Sequence, residues 1–332
     1  MLRLGCNKGI RMFAMTRRSL LAGAGALAAL SAPGRALAQE RGLAVVATTG
    51  MIADAVAQVG GGRVGVQALM GPGVDPHTYR QTRSDIAALT SADAVFWHGL
   101  YLEAQLEDLF RQLAETGTVV ALAESLPAER LLGSADYQGR PDPHVWMDPA
   151  LWAGVVGAAR DALAGLDPEG ERTFHANAEA HLAEIAALGD YSARVLATVP
   201  EEARVLITAH DAFNYFGRAY GYEVMGIQGI STESEAGLAG IEALVAVLVD
   251  RGIGAIFVES SVSDRNVMAL IEGAAARGHE VTIGGQLFSD AMGDPGSYEG
   301  TYIGMIDHNV TTIARALGGE APETGMSGRL GQ

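Results

Sequence analysis

The chain carries eight histidines and a single cysteine, Cys6, so any chemistry beyond its first few residues must use imidazole and carboxylate rather than thiolate. Six such side chains stand at or just after short apolar runs that read as strands: His77, His98, His144, His210, Glu259 and Asp290. Two of them share a setting, Val74-Asp75-Pro76-His77-Thr78-Tyr79 and Pro141-Asp142-Pro143-His144-Val145-Trp146. Proline fixes its own φ and pushes the preceding residue into extended backbone, so the direction of the following histidine is largely pre-set. The plainer reading of Asp-Pro is a helix start, which suits Asp148-Pro149 and Asp167-Pro168. Imidazole plus carboxylate without thiolate suits Zn2+, Mn2+ or Fe2+. No H-E-x-x-H pair is present, so the fold rather than a short motif would have to bring such ligands together. A serine nucleophile lacks support. No G-x-S-x-G elbow occurs, and Ser260 or Ser261 reads as the start of the next helix. His175 and His181 read as solvent-side residues of a long helix, and His279 as a loop residue; Tyr79 and Trp146 read as cover packed beside the two histidines.

The elements that must position these residues follow from the alternation of short β-branched runs with longer helical patterns. Strands are expected over 43–49, 64–70, 93–99 and 119–124 in the first half, and over 204–210, 223–229, 255–260 and 280–287 in the second. A helix is expected from Pro168 to Thr198, with Phe174, Leu182, Ile185, Leu188, Val195 and Leu196 on one face. The fold class is therefore α/β, with two lobes, each a four-stranded mostly parallel sheet flanked by helices, joined by one long connecting helix. The divisions are a first lobe over 39–166, the connector over 167–198 and a second lobe over 199–332, its tail loose after Leu317. Parallel sheets place ligands beyond the carboxyl ends of their strands, where the six candidates stand.

Composition narrows the function. Hydrophobic residues make up 48% of the chain, enough for a large core. Of 23 basic residues, six fall in the first 38, which hold no acidic residue; beyond them 17 arginines face 39 acidic side chains, a net charge of −22 without one lysine. That balance argues against nucleic acid and anionic membrane surfaces as partners. The segment 1–38 reads as a signal peptide: Arg17-Arg18 before a short apolar run, then Ala36-Leu37-Ala38 as the cleavage signal. The paired arginines fit a twin-arginine export signal, with Met12 or Met15 as alternative starts. Cleavage near Ala38 also removes Cys6, leaving a periplasmic product with no thiol for disulfide or lipid attachment.

Together these motifs resemble the solute-binding proteins of zinc and manganese ABC importers, of the TroA type. The resemblance rests on the two Asp-Pro-His segments, Gly99-Leu100-Tyr101-Leu102-Glu103, Thr208–Phe213, Gln228–Thr232, Phe257–Ser261, Leu287–Gly293 and Glu299–Tyr302, in family order over about residues 43–318. It implies one divalent metal ion held as cargo by His77 and His144 from the first lobe and His210 and Asp290 from the second. It assigns no ligand role to His98 or Glu259, which become supporting residues. It implies delivery to an inner-membrane permease with its ATPase, by a monomer that is not an enzyme. Three imidazoles and a carboxylate favour zinc, with manganese the rival cargo. One departure stands out: residues 121–142 contain no histidine, so the His-rich loop of many zinc-specific relatives is missing. Uptake should weaken below about pH 6 as histidines protonate. The alternative is a periplasmic zinc-dependent hydrolase, which would need Glu259 as its general base.

Overall fold

The computed structural model describes residues 42–133 and 139–331; the export segment assigned to 1–38 lies outside the described residues. The first lobe is built on four parallel strands, β1 (Leu43–Ala47), β2 (Val64–Ala68), β3 (Ala94–Trp97) and β4 (Val119–Ala121), in the order β2-β1-β3-β4. β1 reads Leu-Ala-Val-Val-Ala, an unbroken apolar run of the kind that parallel strands covered on both faces require. Helices α1 (Gly50–Gly60), α2 (Arg83–Ser91) and α3 (Glu107–Ala114) connect the strands. Thr49 caps α1 by accepting the Ile52 N–H, and Thr82 and Asp85 form a reciprocal capping box on α2.

The second lobe has the four expected strands, β5 (Val205–His210), β6 (Glu223–Gln228), β7 (Ala255–Glu259) and β8 (Thr282–Leu287). They hydrogen-bond as two parallel pairs, β5–β6 and β7–β8, with β5 lying beside β7. Helices α6 (Asn214–Tyr220), α7 (Leu238–Arg251) and α8 (Arg265–Ala276) follow β5, β6 and β7, and α9 (Tyr302–Ala316) closes the chain's regular structure.

Between the strand sets run α4 (Pro149–Leu166) and α5 (Glu171–Leu196). Asp148 caps α4 through the Ala150 N–H with Pro149 in the first turn, and Asp167 caps a short turn over Pro168–Gly170. The 26 residues of α5 span about 39 Å. Its buried face runs Phe174, Ala178, His181, Ile185, Leu188. Alternate steps of four and three put His181 on that seam, so the side chain is only 3% exposed, contrary to the solvent-side placement expected from sequence; His175 is exposed as expected.

One apolar core runs through α1, α4, α5 and α9 and takes residues from both strand sets, among them Val45, Phe96, Trp152, Phe174, Leu206, Phe257, Leu287 and Tyr302. A second core fills the space between β5–β7 and helices α7 and α8, and a third covers the outer face of β1 and β3. The tail is not loose. Asp307 on α9, fully buried, accepts the Met326 N–H with both oxygens (2.9 Å each), and Glu320 N donates to Thr198 Oγ1 (2.7 Å). The composition of Gly, Pro and Ser there serves tight turns against α9 rather than mobility: at Gly325, φ +73°, a Cβ would lie 2.5 Å from Asp307 Oδ2.

Candidate metal centre

Four of the six sequence candidates converge. His77 lies in the loop after β2, His144 in the loop before α4, His210 is the last residue of β5, and Asp290 stands three residues beyond β8. All four are buried, and one donor atom from each lies within 4.8 Å of the others. His144 Nε2 is 3.3 Å from both His77 Nε2 and His210 Nε2. Asp290 stands 3.1 Å from His210 Nε2, 3.4 Å from His144 Nε2 and 3.7 Å from His77 Nε2. Four donors about 2.0–2.1 Å from a tetrahedral ion are about 3.3–3.4 Å apart, which is the spacing here.

The chemistry of the donors makes the same point. His144 Nδ1–H donates to Asp142 Oδ1 (2.7 Å) and His210 Nδ1–H to Glu259 Oε2 (2.5 Å). Each neutral ring therefore turns a bare Nε2 lone pair inward, and two lone pairs at 3.3 Å repel unless a cation lies between them. Neither oxygen of buried Asp290 has a hydrogen-bond partner. A buried carboxylate without partners is costly, and a metal ion removes that cost.

Further contacts hold the ligands in place. Asp142 Oδ1 also accepts the His144 backbone N–H (3.0 Å), while Asn214 Nδ2 donates to its Oδ2 (3.1 Å). Glu259 Oε1 accepts the His210 backbone N–H (2.8 Å). Trp146 Nε1 donates to Ser289 O (2.8 Å), tying the His144 loop to the Asp290 loop. Such carboxylate partners fix ring orientation and raise ligand basicity.

Burial and charge pull the imidazoles apart. Burial lowers His77 to about 3, so it is neutral at any physiological pH. Burial would lower His144 too, but Asp142 and Asp290 outweigh it and hold the ring up at about 9. His210 is raised well above its ordinary value because Asp290 and Glu259 overcome burial. Asp290, against its burial, is held well below the usual carboxylate range by His210 and His144.

The remaining candidates take other places. His98 is buried beside the group and donates Nε2–H to Pro143 O (2.7 Å), supporting the residue before His144. Glu259 is consumed by both N–H groups of His210 and is not free to act as a base. Trp146 packs against His144 as expected, whereas Tyr79 turns away to Asp85. Ser260 and Ser261 do not start a helix, since α8 begins at Arg265: Ser260 N extends the β7–β8 pairing to Leu287 O, and Ser261 meets Ser289. His279 is a loop residue bonded to Ile253 O.

Two residues escaped the sequence reading. Asp142 was seen only as part of a repeated motif, though its identity two places before a histidine was the signal. Glu103 is a fully buried carboxylate that accepts from Thr48 Oγ1 (2.6 Å), His98 N (2.8 Å) and Gly99 N (3.1 Å). Burial raises it to about 7 against those hydrogen bonds. It pins a turn in which Gly99, Leu100 and Tyr101 all have positive φ, a strained run that needs such an anchor.

Comparison with known proteins agrees with this architecture. A family model described as the periplasmic component A of a zinc-uptake complex matches residues 45–316. A manganese-binding lipoprotein of Bacillus subtilis is 45% identical over 275 residues, covering 83% of this chain and 90% of the relative. A zinc-binding protein of Treponema pallidum is 46% identical over 273 residues, covering 82% and 88%. The solved structure of the periplasmic zinc-binding protein TroA from Treponema pallidum superposes with a TM-score of 0.81, covering 83% of this chain and 99% of that one.

Proposed function

The chain belongs to the family of periplasmic zinc-uptake components, and from that premise we propose that it captures one divalent metal ion between its lobes for an ABC importer. The observation that carries the reading is the buried set of four donors, two from each lobe, at tetrahedral spacing with both Asp290 oxygens unpartnered. His77, His144, His210 and Asp290 are the ligands. Three imidazole nitrogens and one carboxylate at this spacing suit Zn2+, which the Irving–Williams order also places above Mn2+ at such a site. Relatives with similar identity are named for manganese and for zinc, so the cargo in the cell is one of these two, selected by availability as well as affinity.

The protein is a carrier, not an enzyme. Four protein ligands leave no position for a catalytic water, and Glu259 is bound to His210, so a hydrolase has neither of the parts it needs. The metal-loaded protein, a monomer in the periplasm after cleavage near Ala38, hands its ion to an inner-membrane permease driven by an ATPase. The test is metal content by mass spectrometry on protein purified from the periplasm without refolding, compared with His210→Ala. One zinc or manganese per native chain, lost in the variant, is expected. Equal metal in both, or none in either, overturns the ligand assignment.

A further inference from the structure

The two Asp-Pro-His segments use their aspartates differently. Asp142 holds both the backbone and the ring N–H of His144. Asp75 holds only the backbone N–H of His77 (2.8 Å), and the His77 Nδ1 is buried without a partner. The second oxygen of Asp75 accepts Thr78 Oγ1 (3.0 Å) and, from the other lobe, Thr232 Oγ1 (2.5 Å).

Thr232 lies in the loop between β6 and α7, and that loop is braced from within its own lobe. Gln228, which pairs in register with His210, donates Nε2 to Ser234 O (3.1 Å). Beside Thr232, Gln105 of the first lobe donates to Glu233. On the other flank of the His77 loop, Gly73 has φ +70° and its Cβ position is 3.4 Å from Ser260 O. The loop that carries His77 is thus gripped on two sides by the second lobe.

We propose that the Asp75–Thr232 hydrogen bond is a cross-lobe latch that sets how fast the captured ion leaves, with Thr232 a positioning residue acting on His77 through Asp75. The inference rests on the metal-capture reading above. His77 is the one imidazole of the three whose ring has no partner of its own, so its place depends on the backbone anchor at Asp75. Release requires the His77 loop to withdraw from the second lobe, which breaks this bond. A hydrogen bond to a carboxylate of this kind changes an equilibrium or rate by about tenfold or more.

The test uses the full zinc-loaded chain, with release into excess chelator followed by stopped flow. Thr232→Val, which keeps the shape and removes the hydroxyl, should bind one zinc per chain and release it about tenfold faster. Thr232→Ser should release at the native rate, and the melting temperature of metal-free Thr232→Val should equal that of the native metal-free protein. In an Asp75→Asn background, adding Thr232→Val should change the release rate little, the signature of a coupled pair. Native-rate release from Thr232→Val, equally fast release from Thr232→Ser, additive effects with Asp75→Asn, or a lowered metal-free melting point would each overturn the latch while leaving metal capture intact. A native chain that takes no zinc would overturn both.

Discussion

His144 and His210 each lean on a buried carboxylate through Nδ1, and this decides both how they bind and when they can bind. Glu259→Gln keeps the size of the side chain but replaces the charge that orients His210 and raises its basicity. Zinc affinity should fall by roughly 10- to 100-fold with the fold retained, measured by chelator competition and circular dichroism. Unchanged affinity would show that Glu259 serves the lobe alone. The same carboxylates move the pH window. A ligand must be deprotonated to bind metal, so protons compete wherever the metal-free pKa lies above the working pH. His77, held at about 3, offers no competition, but His144 is held up at about 9 by Asp142 and Asp290. Affinity should therefore keep rising with pH from 6 through 8 toward 9, rather than levelling off just above the ordinary histidine range. Zinc binding at pH 7 should release protons, counted by calorimetry in buffers of different ionisation heat. Affinity flat between pH 6 and 8 would refute this assignment of the proton to His144.

At the scale of elements, the tail and α9 form one unit. Asp307 is buried, and burial raises its pKa; the Met326 N–H, Tyr298 Oη (3.0 Å) and Thr311 Oγ1 offset that cost. Ending the chain at Gly318 removes the Met326 donor and leaves the carboxylate under-satisfied, at a cost of about 1–3 kcal/mol. The melting temperature should drop by roughly 2–9 °C while one zinc per chain is retained; an unchanged melting temperature would mean that the docked tail contributes nothing. The tail also marks where sequence reading fails. All eight strands lie within their expected spans, because period and β-branching report burial locally. The four converging site residues were legible because parallel strands deliver their ends to one place, and because Asp-Pro-His occurs twice. Contacts between distant segments were not legible: Asp307 with Met326, Trp146 with Ser289, and Asp75 with Thr232 each depend on the tertiary fold. His181 was misread for a different reason. Its polarity suggested solvent, whereas the alternation of three and four residues along α5 places it on the buried seam.

At the scale of the whole molecule, the question is how far the lobes move when the ion leaves. The core that runs through α1, α4, α5 and α9 draws on both lobes. Tyr302 of α9 stacks on Trp152 of α4 at 5.3 Å, and its hydroxyl donates to Trp146 O (2.9 Å). Its backbone N–H donates to Asp54 of α1 (2.9 Å), and Tyr215 of α6 donates to Asp142 O (2.8 Å). A wide hinge swing would expose these aromatic side chains at about 1.5–3 kcal/mol each and break the hydrogen bonds with them. The sum rivals the free energy that a single tightly bound ion supplies, about 12 kcal/mol at nanomolar affinity. Release must then work through the loops above this core, those of residues 71–79 and 229–237, while the helical layer stays closed. Small-angle scattering of the metal-free and zinc-loaded chain should differ by less than about 5% of a radius of gyration near 19 Å. Hydrogen exchange should lose protection on metal removal in those two loops and keep it in α4, α5 and α9. A clear expansion in scattering, with exchange spreading into α5, would mean that the shared core separates and that the ion, rather than the apolar layer, holds the lobes together.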